Sequence, residues 1–347
     1  MLKLTTNATA MFAVVAAAFV VADPAAAQQK TPVKFTLDWK YQGIHSWYLM
    51  AQKKGYFAAE GLDVTVDQGE GSAATVTRIM SGTYDAGFGD MTAIIQNAAT
   101  RPADAPVMVY MIYNQPPFAV MSLPSANIKS PKDLAGKKLG SPAGAAAHRL
   151  LPLMTKSAGV DTSKIEVLNM APNLQEQMLF QKQVDASLVF NVTAYMNVAS
   201  MGRDPAKDVT WMMYGDHGVS VYSNGVMVSQ KLAKERPAAV GGLVRAINKA
   251  LHEAVADPDA AIKVLTETEP LLKADIEKQR LVYAMKTVVL SPEQAEIGIG
   301  DVKDARMKQA IEQIAEVFEL KTKPEVSAVF DRSFLPAITE RKLKAAF

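Results

Sequence analysis

Three short stretches of small residues stand where strands give way to helices, and their composition suits them to hold a polar ligand. They are Gly69-Glu-Gly-Ser-Ala-Ala-Thr75, Gly89-Asp-Met-Thr92 and Ser141-Pro-Ala-Gly-Ala-Ala146. The first N–H groups of the helix after each have no intrahelical acceptor, so an anionic or polar ligand group can take them. This assigns Gly71, Ser72 and Thr75 in the first loop, Asp90, Met91 and Thr92 in the second, and Gly144 and Ala145 in the third. Ordinary capping competes, because Ser72 and Asp90 are good N-cap residues in their own right. Three such loops at equivalent strand ends weigh toward a site.

Aromatic rings supply a second ingredient. Trp39 and Tyr41 follow the first expected strand, and rings in such a loop can stack on a planar ligand or wall off an alkyl chain. Trp39 as a lid on the core is the competing reading. Phe118, and Phe190-Asn191 with Tyr195 one turn on, are the matching candidates further along; Asn191 can both donate and accept. Among the four histidines no pair is spaced three or four residues apart, so no metal site is expected. His217, beside Asp216, and His45, at a helix start near the Trp39 loop, are candidate ligand contacts; a solvated histidine is the alternative for each. A sulfonate would call for an arginine beside the amide loops, and only Arg149, near Gly144, is placed to turn inward.

Catalysis finds little support. The chain contains no Gly-x-Ser-x-Gly, no Gly-x4-Gly-Lys-Ser/Thr and no Gly-x-Gly-x-x-Gly. Its lack of cysteine removes thiolate nucleophiles, disulfides and thiolate metal sites together. Neither an enzyme nor a cofactor is expected. Hydrophobic residues make up 49%, charged ones 21%, and the formal net charge is +2, which points to a globular protein and away from nucleic acid or acidic lipid as partner.

These residues need positioning elements, and the chain supplies a regular rhythm of strand, loop and helix. Residues 1–27 stand apart: Lys3, the apolar run Ala10 to Ala22 and Ala25-Ala26-Ala27 read as a secretory signal peptide cut between Ala27 and Gln28. The competing reading, a membrane anchor, needs roughly 20 apolar residues, more than this run offers. No cysteine follows the cut to carry a lipid, so the periplasm is the expected compartment. From Val33 onward, strands at Val33–Asp38, Gly61–Asp67, Tyr84–Phe88 and Pro106–Tyr113 alternate with helices, the pattern of βαβ units on a mostly parallel sheet. Asn114-Gln-Pro-Pro-Phe118 breaks it, since prolines cannot donate to a central ladder. A short apolar strand, Phe118–Leu123, follows, then a short helix capped by Ser130 and ended by Gly136 that leads into a strand, and the rhythm resumes with strands at Ile165–Met170, Ala186–Phe190 and Val209–Tyr214 and helices Ala145–Ser157, Leu174–Lys182 and Thr193–Met201. Gly215 to Tyr222 reads as a second crossing, Ser223–Ser229 as a strand rejoining the first lobe, and Pro237–Val255, Pro258–Thr266, Lys273–Val288 and Asp301–Phe318 as helices on the outside of that lobe. The expected domains are residues 28–120 and 219–347 for the first lobe and 121–218 for the second.

The stretch Ala51-Gln-Lys-Lys-Gly-Tyr-Phe-Ala-Ala-Glu-Gly-Leu-Asp-Val64, followed by the Gly69 loop, resembles the first lobe of solute-binding proteins of the NMT1/THI5-like group. The resemblance implies a type II periplasmic binding protein: two α/β lobes, each a mostly parallel sheet flanked by helices, joined by a two-strand hinge. It also implies ligand contacts in the strand-end loops, including Trp39 and Tyr41, and a monomer delivering a small-molecule ligand to an ABC permease in the inner membrane, itself not inserted. Relatives take up sulfonates, taurine, nitrate and thiamine pyrimidine precursors. The aromatic residues favour a planar organic ligand, such as a pyrimidine vitamin precursor or small aromatic. A taurine, alkanesulfonate or nitrate carrier, a periplasmic sensory receptor, and an exported hydrolase or lyase are the alternatives. The enzymatic branch of the group carries a cysteine-rich motif that is missing here.

Overall fold

The computed structural model describes residues 1–2 and 29–344. The expected signal peptide and its cut fall almost wholly among residues 3–28, outside the described residues.

Alternation between buried and exposed side chains makes β2, Leu62–Asp67, a half-buried strand, and it pairs in parallel with β1, Thr31–Thr36. With β3 (Ala86–Asp90), β4 (Val107–Met111) and β10 (Asn224–Val228) they form a sheet in the order β2-β1-β3-β10-β4. A second sheet has the order β7-β6-β8-β5-β9, from β5 (Phe118–Ser122), β6 (Lys138–Ser141), β7 (Glu166–Asn169), β8 (Ala186–Phe190) and β9 (Thr210–Met213). Each sheet has one strand running against the other four: β10 in the first, antiparallel to β3 and β4, and β5 in the second, antiparallel to β8 and β9. These are the strands that follow the two crossings. The chain leaves the first sheet after β4, builds the second, and returns to place β10 between β3 and β4. Two lobes and a double connection follow from that exchange.

Helix Ser72–Met80 falls where the apolar spacing places it. The helix expected over Ala145–Ser157 is instead split into Ala146–Arg149 and Leu151–Ser157, since Pro152 lacks the N–H and crowds the preceding turn. The helix after β8 begins at Asn191 rather than Thr193, and the one at Ala274–Ala284 passes into a single π-turn at Met285–Val289. The C-terminal helices do more than flank the first lobe. Pro237–Ala256 packs on Ser46–Lys53, whereas Ala274–Ala284 lies between the Gly43–His45 turn and helix Asn191–Ser200, and Asp304–Val317 touches both Met91–Thr100 and Leu151–Ser157. Among the described residues no helix is long and apolar enough to cross a membrane.

Candidate ligand cleft

The C-terminal ends of β1 and β8 face each other, and a cavity of about 40 Å³ lies between them. The first lobe contributes Asp38, Trp39, Gln42, Ile44, Gly71 and Ser72; the second contributes Ala145 to Ala147, Gln175, Glu176, Leu188 to Phe190, Thr193 and Ala194. Loops of small residues let the lobes approach this closely. Gly71 has φ +114°, in the region side chains disfavour, and a Cβ there would stand 3.7 Å from the Gly144 carbonyl oxygen of the other lobe. A Cβ on Gly69 would stand 1.9 Å from the Leu37 oxygen, so glycine is required for the loop to fold back on β1.

A chain of buried polar groups supports the first-lobe side. His45 Nε2 donates to Asp38 Oδ1 at 3.0 Å, and Asn224 Nδ2, at the start of β10, donates to Asp38 Oδ2 at 2.7 Å. Ser223 Oγ stands 3.0 Å from Asn224 Oδ1 and 3.1 Å from Asp90 Oδ2. Asp90 caps its helix by accepting from the Thr92 amide at 3.0 Å and from the Thr92 hydroxyl. Burial pushes the Asp90 carboxyl above the usual range, opposed chiefly by the Arg149 guanidinium, 3.7 Å away. Arg149, on the second lobe, also donates to Gln96 Oε1 at 2.8 Å, and burial lowers its pKa. It ties one lobe to the other and does not line the cavity, so the inward-turned arginine that a sulfonate would need is absent there.

Of the residues singled out from sequence, Trp39, Gly71, Ser72, Ala145 and Phe190 line the cavity, and Gly144 meets Gly71 across the lobes. His45, Asp90 and Thr92 lie behind the lining, in the polar chain just described. Thr75 is buried beneath the first loop, its hydroxyl donating to the Leu37 oxygen at 3.0 Å. Asn191 accepts from the Tyr283 hydroxyl, and its own N–H donates to the Pro117 oxygen at 2.7 Å. The others face elsewhere. Tyr41 donates its hydroxyl to the Val66 oxygen at 2.9 Å, and Tyr195 stacks on Tyr283 with ring centres 4.5 Å apart. Met91 and Phe118 are fully buried in apolar packing, Phe118 against Phe190 at 5.3 Å. Asp216 is exposed, and the His217 carbonyl accepts from Ser157 Oγ; neither lines the cavity.

Sequence reasoning missed Asp38, Gln42, Gln175, Glu176 and Thr193. Asp38 carried a signal, an acid at a strand end directly before Trp39. Gln175 and Glu176 open a short helix, where polar residues read as solvent-facing, and strand Ala186–Phe190 and helix Asn191–Ser200 of the same lobe supply their partners. Glu176 Oε1 accepts from Asn197 Nδ2 at 3.0 Å, and burial holds its pKa above the ordinary glutamate value. Thr193 Oγ1 donates to Gln42 Oε1 at 3.1 Å, a hydrogen bond between the lobes beside the cavity.

Two sheets with exchanged strands and a cavity between their C-terminal edges define the two-lobed fold of the periplasmic binding proteins. The solved alkanesulfonate-binding protein SsuA from Xanthomonas axonopodis pv. citri shares this fold, with a TM-score of 0.67 at 15% identity, over 88% of this chain and 99% of that one. The NMT1/THI5-like family model matches residues 42–261, and the chain belongs to that family. Its relatives include a formylaminopyrimidine-binding protein of Halalkalibacterium halodurans, 26% identical over 72% of this chain and 75% of that protein. They also include the 4-amino-5-hydroxymethyl-2-methylpyrimidine phosphate synthase THI11 of Saccharomyces cerevisiae, 25% identical over 70% of this chain and 73% of that one.

Proposed function

We propose that this protein is the periplasmic solute-binding component of an ABC importer and that it captures a small planar organic ligand, in the class of pyrimidine vitamin precursors or small aromatics. The observation that carries the reading is the lining of the cleft: the Trp39 ring on one side, with Ile44, Leu188 and Phe190 completing apolar walls around a few polar groups. Such a slot favours a flat, mostly apolar body with a polar edge. The kinship with a formylaminopyrimidine-binding protein supports the same class. Its action is binding alone. Closure is favoured because the closed form makes contacts with ligand that the open form lacks, and the permease then reads the closed lobes.

A thermal-shift screen of the chain from Gln28 tests this, with pyrimidines, aromatic acids, sulfonates, taurine and nitrate as candidates. A ligand at a hundredfold excess over its Kd adds about 2.7 kcal/mol to the stability of the folded state, enough to raise the midpoint by several degrees. The expected result is a shift with a planar compound that is lost in Trp39→Ala. Shifts confined to sulfonates, taurine or nitrate would sink the planar reading, and turnover of the bound compound would sink the binding-only one.

A further inference from the structure

We infer that Glu176 selects the charge of the ligand, and that the cleft takes a molecule with a cationic or proton-rich edge, such as an amidinium or an aminopyrimidinium. The shape of the ligand rests on the planar reading above; its charge rests on the lining alone. Glu176 is 5% exposed and lines the cavity from the second lobe. Asp38, also 5% exposed, lines it from the first, its carboxylate fixed by His45 and Asn224. No lysine, arginine or histidine is among the described residues that line the cavity.

The nearest cations are already committed. Arg149 faces Asp90 and Gln96. Arg280 has no direct hydrogen bond to Glu176; it shares Asn197 with it, whose Oδ1 accepts from Nη2 at 3.2 Å, and its charge partly offsets the burial of the Glu176 carboxyl. Its own Nε bonds Glu277 Oε2 at 2.9 Å, and Nη1 donates to the Thr193 oxygen at 2.7 Å. Counting Arg280 against Glu277, and Asp38 with its partners His45 and Asn224, leaves the Glu176 carboxylate as the acidic group facing the cavity without a partner of its own in an ion pair. A buried carboxylate is costly until a partner charge or donor meets it, so a cationic ligand gains there and an anion is repelled. A planar N–C–N edge presents two parallel donors to one carboxylate, the geometry of a bidentate charge-assisted pair. Burial raises the Glu176 pKa, and Asn197 and the Arg280 charge do not fully offset it. A cation would restore the ionised form, so binding begun at a pH where Glu176 is protonated releases a proton.

The test separates charge from shape with five probes and calorimetry. Benzamidine and 4-amino-5-hydroxymethyl-2-methylpyrimidine are planar with amidine-type edges, agmatine is an aliphatic cation, benzenesulfonate a planar anion and octanesulfonate an aliphatic one. The expected result is binding of the two planar amidine-edged probes, weaker by about tenfold or more in Glu176→Gln, and weakening as pH falls through the raised Glu176 pKa. Glu176→Asp, which keeps the charge, retains the preference for cations, and separates loss of charge from loss of fold. Binding of agmatine without benzamidine would uphold the charge and overturn the planar reading. Binding of benzenesulfonate in place of the amidine-edged probes would uphold the planar shape and overturn the charge. Octanesulfonate alone would overturn both. No binding by any cation, or cations held equally by wild type and Glu176→Gln, overturns the inference.

Discussion

Asp90 meets conflicting demands on one carboxyl. It accepts from the Thr92 amide at 3.0 Å and faces Ser223 and Arg149, each of which favours the charged form, yet burial outweighs them and its pKa stands raised. A carboxyl whose folded pKa lies above its unfolded one, about 3.9, contributes stability in full below the unfolded value and loses it as pH rises through the folded value. Asp90→Asn is therefore expected to flatten the fall in melting temperature from about pH 4 upward. It also leaves the Arg149 guanidinium buried without its anion, a pH-independent loss of about 3 kcal/mol. Calorimetric melts across pH check both, and an unchanged slope would show that Asp90 titrates alike folded and unfolded. At this scale the sequence was partly legible. A small-residue loop with Asp90 as cap is written in local spacing, as are the glycines at Gly69 and Gly71. Glu176 was not, because its partner Asn197 lies on another helix, twenty-one residues on, and local spacing gives no sign of it. Tyr41 misled for the opposite reason: its place in a cleft loop says nothing of which way the ring turns, and it bonds back to Val66.

Among the elements, helix Ala274–Ala284 joins the lobes from the side of the cleft. Glu277 and Arg280 are three residues apart, which in sequence reads as a surface pair worth a few tenths of a kcal/mol. Both are buried, at 4% and 3% exposure. Glu277 Oε2 accepts from the Gly43 amide at 2.6 Å, next to Gln42 of the first-lobe lining, while Arg280 holds the Thr193 carbonyl of the second. Tyr283, one turn on, stacks on Tyr195 and bonds Asn191. The helix thus ties both walls of the cleft without touching the cavity. Arg280→Ala is expected to cost about 3 kcal/mol by stranding Glu277, with Glu277→Gln/Arg280→Met recovering part of it. Small-angle scattering of the unliganded variant is expected to show a larger radius of gyration as helix Asn191–Ser200 comes away. A melting point and radius equal to wild type would show that the pair is incidental. Gly43 fits the same picture, since a Cβ there would stand 2.0 Å from the Glu277 carbonyl oxygen, so Gly43→Ala should push this helix off its seat. Helix Ala274–Ala284 was visible in the sequence as a helix; what it bridges was not, because both partners lie far away in the chain.

For the whole molecule, the question is how freely the lobes turn about their two crossings. Both crossings were legible, one in its paired prolines and the other in Gly215 to Tyr222, and both would pass for bare hinges. The fold braces them. Arg306 donates from Nη2 to the Asn114 oxygen at 2.8 Å and to the Val221 oxygen at 3.2 Å, taking hold of the first and second crossings with one guanidinium. Its plane lies over the Tyr222 ring at 4.2 Å, and Tyr222 in turn donates to Glu293 and accepts from the Lys303 amide. Gln313 holds the Gly218 oxygen and the Ser220 amide. A lobe rotation must therefore strain a packed C-terminal layer as well as two strands, and the open and closed forms become discrete arrangements rather than a continuum. Arg306→Ala removes the shared grip, and the amides of residues 112–115, 118 and 219–224 are expected to exchange hydrogen for deuterium faster in the unliganded protein. If the binding-competent arrangement becomes a smaller fraction of the population, the apparent Kd rises in inverse proportion to that fraction. Arg306→Lys keeps the charge but cannot bridge two carbonyls from one planar fork, so it should behave as Arg306→Ala does in exchange while melting closer to wild type. Exchange at both crossings that matches wild type in both variants would show that the hinge is set by the strands alone.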